Sequence, residues 1–391
     1  MLRNIRLLYI HNFLTAFCPH WPFQVIYFAT IAESYTIAMS VMAVETLAAA
    51  LFDIPAGIFS DRVGRRLTMS CGSLCMALAL ICYATASGVA MLYIGAMLVG
   101  LGQCLFSGNN NALLYESLQS EGLEGEYHHY RGTAGSMFQL ALSASAFFAI
   151  WYSRFGLPAI YALAIVPQVL GVCVSLLFQE PRVHAHARPK GIAILKEACR
   201  ETWHNPRLFW LVIARSINYG AGESNFKFQS AFINMLWPIW AVGFYRGLNH
   251  ALGFAGFRLA GRAIERFGEP CLFVARDIYW FTTQMLALAL NSFVSPLIIL
   301  SGALFFGPGE VASDHLMQKE FTDEQRATMG SIASFITSIV FAVVALCVGA
   351  ISDRFGVAAG LGFGIAVCVL ALPVNLWLFH THFNSWKGGE V

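Results

Sequence analysis

The run Gly57 Ile58 Phe59 Ser60 Asp61 Arg62 Val63 Gly64 Arg65 Arg66 sits between two long apolar stretches. A relative of it, Gly261 Arg262 Ala263 Ile264 Glu265 Arg266 Phe267 Gly268, begins 204 positions later. Both keep a glycine, an acid followed by arginine, and a second glycine at the same spacing. Both fall in a short loop between segments long enough to cross a bilayer. The pattern marks a membrane protein built by duplication.

Composition agrees. Hydrophobic residues make up 57% and charged residues 12% of the 391-residue chain, with mean hydropathy +0.62. A soluble chain carries roughly 25% charge. The net charge of +2 is small and spread through short loops, which argues against a nucleic-acid partner. Cys71, Cys75, Cys82, Cys173 and Cys368 fall inside apolar stretches without the spacing of a zinc site or disulfide framework, so they read as buried packing thiols and no metal is expected.

With about 20 apolar residues as the unit of a crossing, spans lie near 6–31, 36–59, 67–87, 90–118, 132–153 and 157–178. Six more lie near 208–231, 236–259, 271–290, 294–317, 328–350 and 357–379. The expected fold is an all-α membrane protein of twelve transmembrane helices, with residues 1–180 and 208–391 as two pseudo-symmetric six-helix bundles. Residues 181–207 form a polar linker. There Ile192, Leu195, Cys199 and Trp203 recur at helical spacing opposite Lys190, Lys196 and Arg200, which predicts an amphipathic surface helix. Span one continues past Pro19 and Pro22 without a cleavage site and reads as a retained, proline-broken helix.

Basic residues give the orientation, because cytoplasmic loops gather Lys and Arg. With the N-terminus in the cytoplasm, the outer loops receive only Arg154 and Arg354, and both termini lie inside. The duplication extends further. Ser153 Arg154 Phe155 Gly156 is echoed by Ser352 Asp353 Arg354 Phe355 Gly356, and Tyr130 Arg131 Gly132 Thr133 Ala134 Gly135 Ser136 by Gln325 Arg326 Ala327 Thr328 Met329 Gly330 Ser331. The halves are therefore parallel repeats.

In span count, topology, repeat and the loop signature G-x-x-x-D-R-x-G-R-R, the chain resembles the major facilitator superfamily over nearly its whole length. The stretch from Asp53 through Pro55 to Arg66, with Ser107, Gly108 and Ala112 to Leu118 in span four, resembles the bacterial drug-efflux-like members. The resemblance implies a secondary active transporter with a substrate path on the axis between the repeats. It also implies a conformational latch formed by Gly57, Asp61, Arg62, Gly64, Arg65 and Arg66, with Glu265, Arg266 and Gly268 as the second copy. Asp61 would meet Arg65 and the positive N-terminal end of span eleven near Thr328 to Ser331, closing the cytoplasmic side. A charged loop that merely fixes topology is the plainer account.

Charged side chains inside a bilayer are costly and mark function. Glu310 and Asp314 are four apart and share a helix face. Two carboxylates that close repel, so such a pair exchanges protons readily, and His315 adds a group that titrates near neutrality. Glu310, Asp314 and His315 are the leading proton-coupling candidates, with Glu45 and Glu223 beside them and Arg215, Lys227 and Arg246 as charge partners. An ion-pair network joining spans seven, eight and ten competes with that reading. Asp53 and Glu116, near the cytoplasmic end, are expected to pair with loop arginines. His20, Gln24, Asn109, Asn110, Asn218, Tyr245 and His250 are candidates to line the cavity, and Trp237 reads as an interfacial anchor.

Two departures separate the chain from the efflux families. Span four lacks their arginine, reading Gly95 Ala96 Met97 Leu98 Val99 Gly100, and span five lacks the G-P-x-x-G-G antiporter motif, reading Ser136 to Ser143. Proton-coupled efflux of drug-like or amphipathic compounds therefore stands beside uptake or export of an anionic or zwitterionic metabolite. No H-E-x-x-H, G-x-S-x-G or phosphate-cradling loop before lysine occurs, so no enzyme and no cofactor is expected, and the proton gradient supplies the energy. A non-transporting membrane receptor is the alternative class. The expected partners are a small-molecule substrate, the lipid bilayer and protons. The protein is expected to act as a monomer in the bacterial inner membrane.

Overall fold

The structure, a computed structural model, describes residues 2–123, 126–180, 206–318 and 323–387. The expected linker helix over Ile192 to Trp203 lies outside these residues. A chain in lipid must pair its own N–H and C=O groups, which favours helix wherever the sequence is apolar. The first half holds α1 (Leu2–Ala16), α2 (Gln24–Ala32), α3 (Tyr35–Val63), α4 (Arg65–Ala84), α5 (Val89–Phe106), α6 (Asn109–Gln119), α7 (Tyr127–Tyr152) and α8 (Leu157–Ser175). The second half holds α9 (Pro206–Leu236), α10 (Ile239–Phe267), α11 (Glu269–Leu290), α12 (Ser295–Ser301), α13 (Ala303–Gln318), α14 (Asp323–Phe355) and α15 (Val357–Lys387). No strand occurs among the described residues.

Among the described residues these fifteen helices make twelve spans, because three spans are interrupted. Span one breaks between α1 and α2 at Pro19 and Pro22, as its prolines dictate, with one 3-10 turn at Trp21–Phe23. Span four, expected to be continuous, breaks at Ser107–Gly108, where Gly108 takes φ +70°. Freed backbone groups are re-paired there, Ser107 N–H to the Gln103 carbonyl and Ala112 N–H to the Gly108 carbonyl. Span ten breaks at Gly302 between α12 and α13. Gly302 lies 195 positions after Ser107, the offset that also separates Arg131 from Arg326. Gly302 keeps helical dihedrals (φ −67°, ψ −22°), unlike Gly108, and α9 runs unbroken where span one is interrupted.

Four glycines at matching joints carry the duplication into the backbone. Gly64 (φ +97°) and Gly268 (φ +77°) close the α3–α4 and α10–α11 joints, and Gly156 (φ +91°) and Gly356 (φ +89°) close the α7–α8 and α14–α15 joints. Side chains with a Cβ rarely adopt this conformation, so the sequence repeat is a repeat of turn geometry.

Seven stretches of the described residues are long and apolar enough to cross a membrane by length and composition, five in the first half and two in the second. The imbalance follows from charge. α9 carries Arg207, Arg215, Glu223 and Lys227, α10 carries Arg246, Arg258 and Arg262, and α11 carries Glu269, Arg276 and Asp277.

The chain groups into two compact units, Met1–Arg188 with Trp237–Ala251 and Pro189–Leu236 with Leu252–Val391. Within the first, the early part of α10 packs on α7. The Ser143 hydroxyl donates to the Gly247 carbonyl at 3.3 Å, and Phe147 meets Phe244 edge-on. Trp237 is 8% exposed, so it is a packed residue rather than the expected anchor, and Trp240 and Phe244 carry the exposed aromatic surface there. Among the cysteines read as buried, Cys368 is buried and Cys173 is exposed.

Helices in lipid approach closely where residues are small. A Cβ on Gly220 of α9 would lie 2.8 Å from the Phe341 amide nitrogen and the Thr337 carbonyl oxygen of α14, while one on Gly222, a half-turn away, would meet nothing within 4 Å. Both Gly→Ala changes gain about 1 kcal/mol of helix propensity, and overpacking at Gly220 costs about 1–3 kcal/mol. Gly220→Ala is expected to lower the Tm of the detergent-solubilised protein and Gly222→Ala to preserve or raise it. Equal shifts would contradict this packing.

Candidate functional site

At the α3–α4 joint Arg65 gathers the polar groups of three segments. Its guanidinium lies 3.3 Å from Asp61 and 3.2 Å from Glu116 of α6. It also donates to the Ser60 hydroxyl at 2.7 Å and to Asn109 Oδ1 at 2.9 Å, and Ser60 donates to the same Asn109 oxygen. Five donors in a rigid fork suit this role, which a lysine could not fill. Asn109, expected to line a cavity, is instead buried here, with its amide donating to the Leu105 carbonyl. Glu116 pairs with a loop arginine, as its position near the end of span four suggested.

The start of α4 has no side-chain cap of its own. Glu180, beyond α8, supplies one by accepting the Arg65 and Arg66 backbone N–H groups at 2.6 and 3.1 Å. An anion at the positive end of a helix is stabilised there. A Cβ on Gly64 would come within 2.7 Å of this carboxylate, so the glycine serves both the turn and the cap. Asn4 ties the same region to α1, donating to the Gln179 carbonyl at 2.7 Å and accepting its N–H at 2.9 Å. Glu180 and Asn4 escaped the sequence reading, since partners more than 100 positions apart leave no local pattern.

The second copy keeps the turn and loses the hub. Gly268 matches Gly64, but Glu269 follows it where Arg65 stands in the first. Arg266 lies over its neighbour Phe267 at 5.4 Å. The far end of the proposed latch, Thr328 to Ser331, has side chains outside the described residues.

A second polar cluster lies deep in the first unit. Glu45 of α3 is 3% exposed. Its Oε1 accepts from Gln24 Nε2 of α2 at 2.7 Å and from the Tyr83 hydroxyl of α4 at 2.6 Å. Tyr27 donates to the Tyr83 carbonyl at 2.6 Å and lies 4.5 Å, ring to ring, from Tyr161 of α8. His20, in the span-one break, lies 5.0 Å from the same tyrosine. Gln24 and His20 are thus buried among helices of their own unit rather than on an open wall.

In the second unit Arg276 of α11 holds two carboxylates. Its Nε and Nη2 donate to Asp277 at 3.0 and 2.9 Å, and its Nη1 lies 3.5 Å from Glu310 of α13. Arg276, which is not among the expected charge partners Arg215, Lys227 and Arg246, is a partner of Glu310. The side chains of Asp314 and His315 lie outside the described residues. Glu223 and Lys227 approach to 3.9 Å within α9, with the carboxylate 53% exposed, and Lys227 lies over Phe341 of α14. Arg215 lies over Tyr219. Tyr245 and Arg246 of α10 are buried; Asn110, Asn218 and His250 are half-buried.

The two ion pairs of Arg65 differ in solvation, with Asp61 52% and Glu116 22% exposed. An exposed pair contributes about 0–1 kcal/mol, and a sheltered hydrogen bond to a charged group about 1–3 kcal/mol. Glu116→Gln is expected to reduce stability by about 1–3 kcal/mol, and Asp61→Asn by less than about 1 kcal/mol. Chemical denaturation of both variants checks the order, and a larger loss from Asp61→Asn would contradict the hub.

No curated protein matches the chain by sequence. Solved structures similar in fold include a mutant form of the nucleoside transporter NupG, 13% identical, covering 96% of this chain and 99% of its own, with TM-score 0.78. A bacterial homologue of the human lysosomal transporter Spinster, inward-facing and unoccupied, is 14% identical with 98% of each chain covered and TM-score 0.77. A D-xylose–proton symporter is 13% identical, covering 95% of this chain and 97% of its own, with TM-score 0.68. At these identities the likeness is one of fold. The profile described as Major Facilitator Superfamily matches residues 8–343, and the chain belongs to that family of membrane-embedded secondary transporters.

Proposed function

We propose that the chain is a proton-coupled transporter that moves small amphipathic compounds out of a bacterial cell by alternating access between its two halves. Both termini lie in the cytoplasm in this reading, and the membrane is the inner one. The observation that carries it is a pair of sheltered carboxylates on membrane-length helices, Glu45 buried in the first unit and Glu310 beside Arg276 in the second. An ionisable group inside a membrane-spanning segment is expensive, and proton relays are among the functions that such groups mark. The efflux direction rests on the resemblance of the loop and span four to drug-efflux-like members. Arg246, 4% exposed in α10, favours a second reading in which the solute carries a carboxylate or phosphate.

The test is reconstitution in liposomes with an internal pH dye, followed by addition of lipophilic cations, amino acids, sugars and organic acids. Proton movement on adding lipophilic cations, lost in Glu310→Gln, is the expected result. A response confined to organic acids, lost in Arg246→Gln, moves the assignment to the second reading. Substrate flux without proton movement would overturn the coupling.

A further inference from the structure

The Arg-Phe-Gly motif repeated at the α7–α8 and α14–α15 joints has no part in the clusters above, and its two copies differ. In the first, the Arg154 guanidinium lies 3.7 Å over the Trp151 ring and 5.0 Å over the Phe155 ring. Both rings are 62% exposed, and the arginine is exposed with them. Among the described residues Arg154 makes no ion pair and no hydrogen bond to protein, so the donors of its planar fork are left for another partner. The surrounding sequence offers none, since no Asp or Glu occurs from Tyr127 to Gln179.

The aromatic face continues along the helix. Phe148, Trp151 and Phe155 are spaced by three and four, which puts them on one side of α7 and its closing turn. Phe148 is 44% exposed, stacks on Tyr152 at 5.3 Å and meets Phe17 of α1 edge-on at 6.0 Å, and Tyr152 lies 5.8 Å from Phe155. α1 thereby braces the stripe that ends in the arginine. Tyr130–Phe155 is long and apolar enough to cross a membrane, and an arginine with exposed aromatics at the end of such a stretch sits at the level of lipid headgroups.

We propose that this corner of the first unit binds an anionic phospholipid, with Arg154 donating to the phosphodiester and an acyl chain lying along Phe148 and Trp151. Charge complementarity selects the occupant. A guanidinium matches phosphate oxygens in a two-point contact, and a segment without carboxylates leaves the ammonium of a zwitterionic headgroup without a counter-charge. The apolar stripe favours a lipid over free phosphate. The second copy supplies the contrast. Ile351 stands where Trp151 does in the first, and Asp353 precedes Arg354, so that corner lacks both the ring and the net positive charge. The inference is independent of the direction of transport and of proton coupling.

The experiment is native mass spectrometry of the detergent-solubilised protein given equimolar phosphatidylglycerol and phosphatidylethanolamine, with variants of unchanged Tm. Retention of one phosphatidylglycerol in preference to phosphatidylethanolamine is expected. Arg154→Gln is expected to weaken that retention about tenfold, equivalent to about 1.4 kcal/mol, and Trp151→Leu about threefold. Arg354→Gln and excess inorganic phosphate leave the lipid bound. Equal retention of the two lipids by the unaltered protein overturns the anionic assignment. Phosphatidylglycerol held equally well by Arg154→Gln and Trp151→Leu overturns the site and leaves an interfacial anchor only. Displacement by inorganic phosphate overturns the lipid as occupant.

Discussion

In lipid a polar group has no water to fall back on, and every feature of this chain answers to that constraint. Among the described residues backbone groups close on themselves in fifteen helices, and two of the interruptions show how freed groups are re-paired. At Ser107–Gly108 the remedy is hydrogen bonding back to Gln103 and forward to Ala112. At the α3–α4 joint it is Glu180, which caps a helix whose own N-cap residue has no side chain. Among buried side chains, Glu45 meets the constraint with Gln24 and Tyr83.

The two halves share a backbone and differ in chemistry. Matching joint glycines preserve the duplicated architecture. The first half concentrates its arginine chemistry at Arg65, at one end of the unit, and holds a carboxylate among tyrosines in its interior. In the second half the residue after the joint glycine is acidic, and charge moves into α9, α10 and α11. Duplication supplies the frame, and divergence at a few polar positions supplies two distinct electrostatic environments.

The fold was legible because apolar length and repeated motifs are local signals. Twelve spans, the break at Pro19 and Pro22, and the pairing of Glu116 with a loop arginine all follow from nearby sequence. The breaks at Gly108 and Gly302 were not read, because an isolated glycine in an apolar helix is usually tolerated. The candidate site was legible in its residue types more than in its pairings. Glu45, Gln24 and His20 stood out as polar groups in apolar spans, but nothing in the sequence joined them to Tyr83 and Tyr161, which belong to other helices. Asn109 looked like a cavity residue and belongs to the Arg65 hub. Arg276 was not read as a partner of Glu310, and only packing brings the two together.

The central claim is that buried carboxylates couple substrate movement to protons without being needed for the movement itself. The direct measurement compares counterflow exchange with accumulation driven by an imposed proton gradient in the same proteoliposomes, using Glu45→Gln/Glu310→Gln of unchanged Tm. Preserved exchange with lost accumulation is the predicted result. Accumulation that persists, or exchange that fails together with it, would contradict the account.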